Sequence, residues 1–204
     1  MQGNTGALMS RLGRAQKEMG AIVRSRMEEF ASNSNWFSEL CFCILTANYT
    51  AEGGIRIQNS VKDFSGLSRQ KIEKVLRSHG YRFPKVRSEF LFLAGKHRDS
   101  LHSLPLMENS LERREWLVKN VKGIGYKEAS HFLRNVGFSD VAIIDRHILS
   151  VLCQHQLIEM PKTLTKRRYL EIERTLAGIA RKASMSLGEL DLYLWYLKTG
   201  KVLK

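Results

Sequence analysis

Cysteine is scarce: Cys41, Cys43 and Cys153 are the three present in 204 residues. An odd number without paired spacing argues against a disulfide framework and for a reducing compartment. No Cys-x2-Cys pair occurs, which argues against zinc and iron–sulfur sites, and no cofactor is expected. Proline is equally rare, at positions 84, 105 and 161, and so is β-branched alternation, so a sheet-based fold is not expected. No apolar run approaches the roughly 18 residues needed to span a bilayer. The start, MQGNTGALMSRLGRAQ, lacks a basic segment followed by an apolar one, so no secretory signal is expected, and the expected location is intracellular, in the cytoplasm or nucleoid. Acidic residues are also few, 20 against 33 lysines and arginines, for a formal net charge of +13. Such a field favours a polyanion partner, because each phosphate contact releases condensed counterions. Charge by itself does not separate DNA from RNA, and a merely solvated basic surface is the bland alternative.

What is present is helical periodicity. In NWFSELCFCILTAN, Trp36, Phe37, Leu40, Cys41, Ile44 and Leu45 form a broad apolar face, with Cys41 and Cys43 read as small core residues. LSRQKIEKVLRSHGY starts at a Ser68 N-cap, stripes Ile72, Val75 and Leu76, and stops at Gly80. LTKRRYLEIERTLAGIARKA stripes Tyr169, Ile172, Leu176 and Ile179. SLGELDLYLWYLKTG opens with a Ser186–Glu189 capping box and closes at Gly200. The fold class is all-α, with roughly eight to eleven helices expected from ordinary helix lengths.

The stretch VKGIGYKEASHFLRNVGFSDVAIIDRHILSVL concentrates the candidate chemistry. SLERREWLVKNV reads as a helix that runs into KGIG, and YKEASHFLRNV as a second helix striped by Ala129, Phe132, Leu133 and Val136. Gly123 and Gly125 can take positive φ and admit another backbone closely. Such a turn aims free N–H groups from the start of the second helix, which suits a phosphate. A tight helix–helix turn without a ligand reads the same way. Lys127 falls in the first turn of that helix, the wrong end for a cation, and a neutral amine there can attack carbon to form a Schiff base. A solvated lysine is the commoner reading. Asp145 follows VAII and precedes RHILSVL, a natural N-cap; a cap at the mouth of a cleft can also serve as a base or an electrostatic partner. His147, in the first turn of that helix, either bonds locally or meets a phosphate.

VKGIGYK, followed by IIDRH, resembles the helix–hairpin–helix DNA glycosylase superfamily. WFSELCFCILTANYTAEGGIRIQ, GYKEASHFLRNVGFSDVAIIDRHI and ELDLYLWYLKTGKVLK resemble one branch of it, the archaeal-type 8-oxoguanine DNA glycosylases of the second class. The resemblance covers nearly the whole chain from Trp36 onward. It implies a two-lobed helix–hairpin–helix glycosylase fold with a DNA cleft between the lobes, one of residues 31–136 and one of residues 1–30 plus 137–204. It implies a bifunctional enzyme that excises 8-oxoguanine and then cleaves the abasic site. Lys127 resembles the Schiff-base nucleophile and Asp145 its activating carboxylate, the two facing each other across the junction. Asn48 resembles the residue that fills the gap left by the extruded base, and Phe83 and Trp195 the aromatic pair flanking that base. Lys204 resembles the C-terminal residue of the base pocket, whose α-carboxylate would accept from N7–H of the oxidised base. The implied partner is double-stranded DNA containing 8-oxoguanine or abasic sites, bound by a monomer, with no membrane. A non-catalytic helix–hairpin–helix DNA-binding module is the alternative; it explains the charge and the hairpin but not the spacing of Lys127 and Asp145.

Overall fold

A computed structural model describes residues 5–47, 49–61 and 63–204. They form ten α-helices: α1 Thr5–Ala31, α2 Trp36–Thr46, α3 Ala51–Ser60, α4 Arg69–Ser78, α5 Pro84–Ala94, α6 Ser110–Asn120, α7 Tyr126–Asn135, α8 Arg146–Gln154, α9 Lys166–Lys182 and α10 Leu187–Thr199. Two 3-10 segments, Gly95–His97 and Asp99–Leu106, join α5 to α6. No strand occurs among the described residues. The helix ends follow local chemistry. Ser68, Asp145, Thr165 and Ser186 cap α4, α8, α9 and α10 through their side chains, the last as a full capping box. Each such cap satisfies amides that the helix itself leaves without partners.

The chain divides into two compact units, Met1–Ser32 with Gly137–Lys204, and Asn33–Val136. In the first, α1 packs along α10, burying Leu8, Leu12, Ala15, Val23 and Phe30. This 27-residue helix, the longest among the described residues, has no stripe among those read from the sequence. Its buried positions are widely spaced and separated by charge, so its apolar face is thin. At its solvent edge Tyr196 of α10 donates to Glu18 Oε2 at 3.1 Å, and Arg11 Nη2 donates to the carbonyl of Leu197 at 3.4 Å.

In the second unit α2 is the central element, packed against α3, α5 and α7. The expectation of one broad apolar face is corrected here. Every residue from Glu39 to Thr46 is buried, and the helix is enclosed on all sides. Cys41 and Cys43 are core residues as expected, and burial pushes the Cys41 thiol far up from its usual range. Helix α7 is a similar case: besides Ala129, Phe132, Leu133 and Val136, its polar residues Ser130, His131, Arg134 and Asn135 are buried. Among the described residues no helix is long and apolar enough to cross a membrane.

Candidate active site

The α6–α7 turn is set by packing beneath it. Val121 and Ile124 are buried and pin its two ends. Between them Gly123 has φ +87°, and a Cβ there would lie 2.3 Å from Cδ2 of Phe90. The turn thus rests on an aromatic ring of α5, and glycine is required twice over, by dihedral and by space. The same ring lies 5.4 Å from the Arg87 guanidinium and 5.7 Å from Lys122 Nζ. Lys122 Nζ donates to Glu89 Oε1 at 2.7 Å, and Arg69 stands 3.4 Å from Glu89 Oε2. The hydrogen bond and charge of Lys122 hold the Glu89 carboxyl below its usual range.

Gly125 does not use the positive φ open to glycine. It is extended, at φ −101° and ψ −174°, and occupies the N-cap position of α7 without any side-chain cap. The first amides of α7 are therefore not taken by a capping side chain. Lys127 is the second residue of this helix, with its side chain 27% exposed and Nζ 3.7 Å from Glu128 Oε1. Gly123, Gly125 and Lys127 are thereby gathered on one turn. Glu128 and Phe90, which complete this turn, carry no signal in the local sequence pattern.

Asp145 is held from behind by α9. The segment Val141–Ile144 is buried without being helical. Its backbone is satisfied by side chains: Ala142 N donates to Glu173 Oε1 at 2.8 Å, Tyr169 Oη donates to Ala142 O at 2.6 Å, and Ile144 N donates to Tyr169 Oη at 3.3 Å. These bonds meet the demand that buried backbone groups be paired. Asp145 then caps α8, its Oδ1 accepting from His147 N at 2.8 Å and Ile148 N at 2.9 Å.

The His147 ring meets Trp195 of α10 edge-on, with centroids 4.6 Å apart. The Trp195 Nε1–H is buried with no hydrogen-bond partner among the described residues, an arrangement that native proteins rarely leave without a reason. Asp145, His147 and Trp195 therefore lie close together, and the tail that follows α10 has Val202, Leu203 and Lys204 half-buried.

Phe83 stands at the N-cap position of α5, 43% exposed, with the Arg82 guanidinium 5.0 Å from its ring centre. Asn48 lies outside the described residues. The chain before it is fixed: Ala47 O accepts from Arg87 Nη2 at 3.0 Å, and Leu45 O accepts from Tyr81 Oη at 2.6 Å. Burial pushes the Tyr81 hydroxyl up to about 12. After it, Tyr49 packs on Tyr81 with ring centres 4.5 Å apart.

Comparison with known proteins extends the likeness. The 8-oxoguanine DNA glycosylase family model matches residues 23–185. The match reaches back into α1, beyond the Trp36 at which the sequence resemblance began. The 8-oxoguanine DNA glycosylase/AP lyase of Methanocaldococcus jannaschii is 54% identical over 194 residues, covering 92% of this chain and 94% of its own. The crystal structure of the M. jannaschii 8-oxoguanine glycosylase/lyase with a 15-mer DNA containing 8-oxoguanine superposes with a TM-score of 0.94 at 50% identity, covering 97% of this chain and 100% of that one. The Thermotoga maritima 8-oxoguanine DNA glycosylase structure superposes at 0.92 with 43% identity, covering 98% and 100%.

Proposed function

The chain belongs to the 8-oxoguanine DNA glycosylase family, and we propose that Lys127 and Asp145 carry its chemistry. It is a DNA repair enzyme, a glycosylase and AP lyase that acts on DNA, rather than a non-catalytic hairpin binder. The observation that carries the assignment of residues is the half-buried Lys127 amine in the first turn of a helix whose start no side chain caps.

The duplex is bound through phosphates at the α7 start and the Gly123–Gly125 turn, and by His147. The damaged nucleotide is extruded, because its glycosidic bond is out of reach within the stack. Phe83 and Trp195 flank the extruded base, Lys204 lines its pocket, and Asn48 fills the vacated place. The buried Trp195 N–H is a donor awaiting an acceptor, which supports placing Trp195 in that pocket.

Asp145 uses Oδ1 for the two amides of α8, leaving Oδ2 for the reaction. This carboxylate takes a proton from the Lys127 ammonium and stabilises positive charge developing on the sugar. The amine nitrogen forms a bond to C1′ while the bond from C1′ to the base breaks, and the base leaves with its electron pair and accepts a proton. The secondary amine opens the sugar ring to an imine. The imine acidifies the C2′ hydrogens; loss of one expels the 3′ phosphate by β-elimination and nicks the strand. The enzyme works as a monomer on duplex DNA bearing 8-oxoguanine or an abasic site.

Borohydride trapping tests this reading. Incubated with abasic-site duplex and borohydride, the protein gives a covalent adduct that maps to Lys127. An adduct mapped to another lysine, or none, refutes the assignment.

A further inference from the structure

Glu39, in the first turn of α2, is 3% exposed. A carboxylate this deep is tolerated when donors surround it. Asn135 Nδ2 donates to its Oε1 at 2.7 Å, and Asn33 Nδ2 reaches its Oε2 at 3.5 Å while donating to the Asn135 carbonyl at 3.0 Å. Asn33 is itself fixed, its Oδ1 accepting from Asn35 N at 2.9 Å and its carbonyl from Trp36 Nε1 at 2.7 Å. Asn135 Oδ1 accepts from Arg134 Nε at 3.0 Å. The reaction uses none of these groups.

The place of this cluster in the chain gives it meaning. Asn33 is the first residue of the unit Asn33–Val136 and Asn135 is next to its last. One buried carboxylate thus ties the segment that enters the unit to the segment that leaves it. Just outside, Gly137 has φ +97°, and a Cβ there would lie 3.3 Å from the Ala31 Cα, so the two segments still run side by side. From Asn135, α7 leads back eight residues to Lys127, about 12 Å of helix, and the chain leads on ten residues to Asp145.

We propose that Glu39 is a positioning residue, clasping Asn33 and Asn135 so that α7 is held in register and both crossings of the chain leave this unit at one fixed point. The proposal rests on Lys127 and Asp145 being the reacting pair. Both groups hang from segments that start at the clasp, and a displacement of about 1 Å in a reacting group can cost a factor of about 100 in rate. Non-specific duplex binding, spread over many phosphate contacts, is far less sensitive to it.

The test exchanges donors for acceptors. Glu39→Gln turns an NH2 group toward an asparagine donor, and Asn135→Asp sets two carboxylates together. In the double variant the introduced glutamine amide donates to the introduced aspartate carboxylate, the glutamine oxygen accepts from Asn33, and Arg134 still donates. Each single variant lowers single-turnover excision of 8-oxoguanine about tenfold or more, with affinity for undamaged duplex within about twofold of wild type. The double variant recovers to within about threefold, the pattern of a coupled pair. Wild-type rates in the single variants, measured on the folded fraction from parallel melting curves, overturn the proposal, as does a double variant no better than the singles. If the singles do not fold, Asn33→Ala decides; it removes the strap from the entering segment to Glu39 and Asn135 together with the local bond from Asn35 N, and a single-turnover rate equal to wild type overturns the clasp. Trapping of the wild-type enzyme on abasic DNA at Lys127, run alongside, separates failure of the clasp from failure of the Lys127 assignment.

Discussion

The starts of α7 and α8 are both proposed to carry chemistry, and they are built in opposite ways. Helix α8 is capped by the residue proposed to react: Asp145 Oδ1 takes two of its amides, at 2.8 and 2.9 Å. Helix α7 begins at a glycine with no side-chain cap and sets Lys127 one residue beyond its first. One helix start uses its positive end to hold a carboxylate still. The other has no side-chain cap on its amides and places an amine where a cation is disfavoured. A helix N-terminus can thus orient a protein's own acid or receive a ligand's phosphate, and the N-cap residue decides which.

The largest effect should come from the uncapped helix. Lys127→Gln removes the nucleophile and keeps most of the stem, so borohydride trapping and strand cleavage should be lost while DNA binding, read by gel shift, persists. Trapping of undiminished yield in this variant would move the nucleophile elsewhere.

Asp145→Asn breaks the comparison at the other end. Asparagine caps as well as aspartate, so melting should shift little, a change of about 1 kcal/mol or less. If the carboxylate does chemistry, single-turnover excision should fall about 100-fold or more. A near-wild-type rate would leave Asp145 as a cap and nothing else.

Gly123→Ala attacks the turn that feeds α7. The alanine must adopt φ +87°, and its methyl meets the Phe90 ring at 2.3 Å. A stability loss of about 1–3 kcal/mol and a weakened grip on undamaged duplex are expected from melting and binding titrations. Unchanged melting and affinity would mean the turn is not tied to Phe90.

The smallest effect sharpens the comparison most. Gly125→Ser gives α7 the kind of cap α8 has, at an extended backbone that serine adopts readily. Its Cβ would lie 3.3 Å from Glu128 Oε2, the far end of a flexible side chain that can shift. A gain of a few tenths of a kcal/mol in stability is expected, together with weaker duplex affinity, because the hydroxyl competes for the amides offered to phosphate. Stabilisation with affinity unchanged would show that DNA does not use the α7 start.

The sequence by itself determined the helices that carry a clear stripe or cap, α4, α7, α8, α9 and α10 among them, but not α1, α3 or α5. Capping at Ser68, Asp145, Thr165 and Ser186 links groups two or three residues apart. Ser68, Asp145 and Ser186 are accordingly readable as caps from a few neighbouring letters. The placement of Lys127 and Asp145 at helix starts follows from the same short-range rules. Tertiary structure decided what those rules do not reach. Phe90 lies 33 residues from the Gly123 it supports, and Tyr169 lies 27 residues from the Ala142 carbonyl it binds. The polar residues Ser130 and Asn135 of α7 are buried, and their partners come from other elements: Arg114 Nη1 meets Ser130 Oγ at 3.2 Å and Glu39 accepts from Asn135. Likewise α2, which reads as amphipathic, is enclosed because α3, α5 and α7 all pack on it. Helix caps are local and leave a mark in sequence; burial depends on what another part of the chain brings, and a single stretch of sequence holds no record of that.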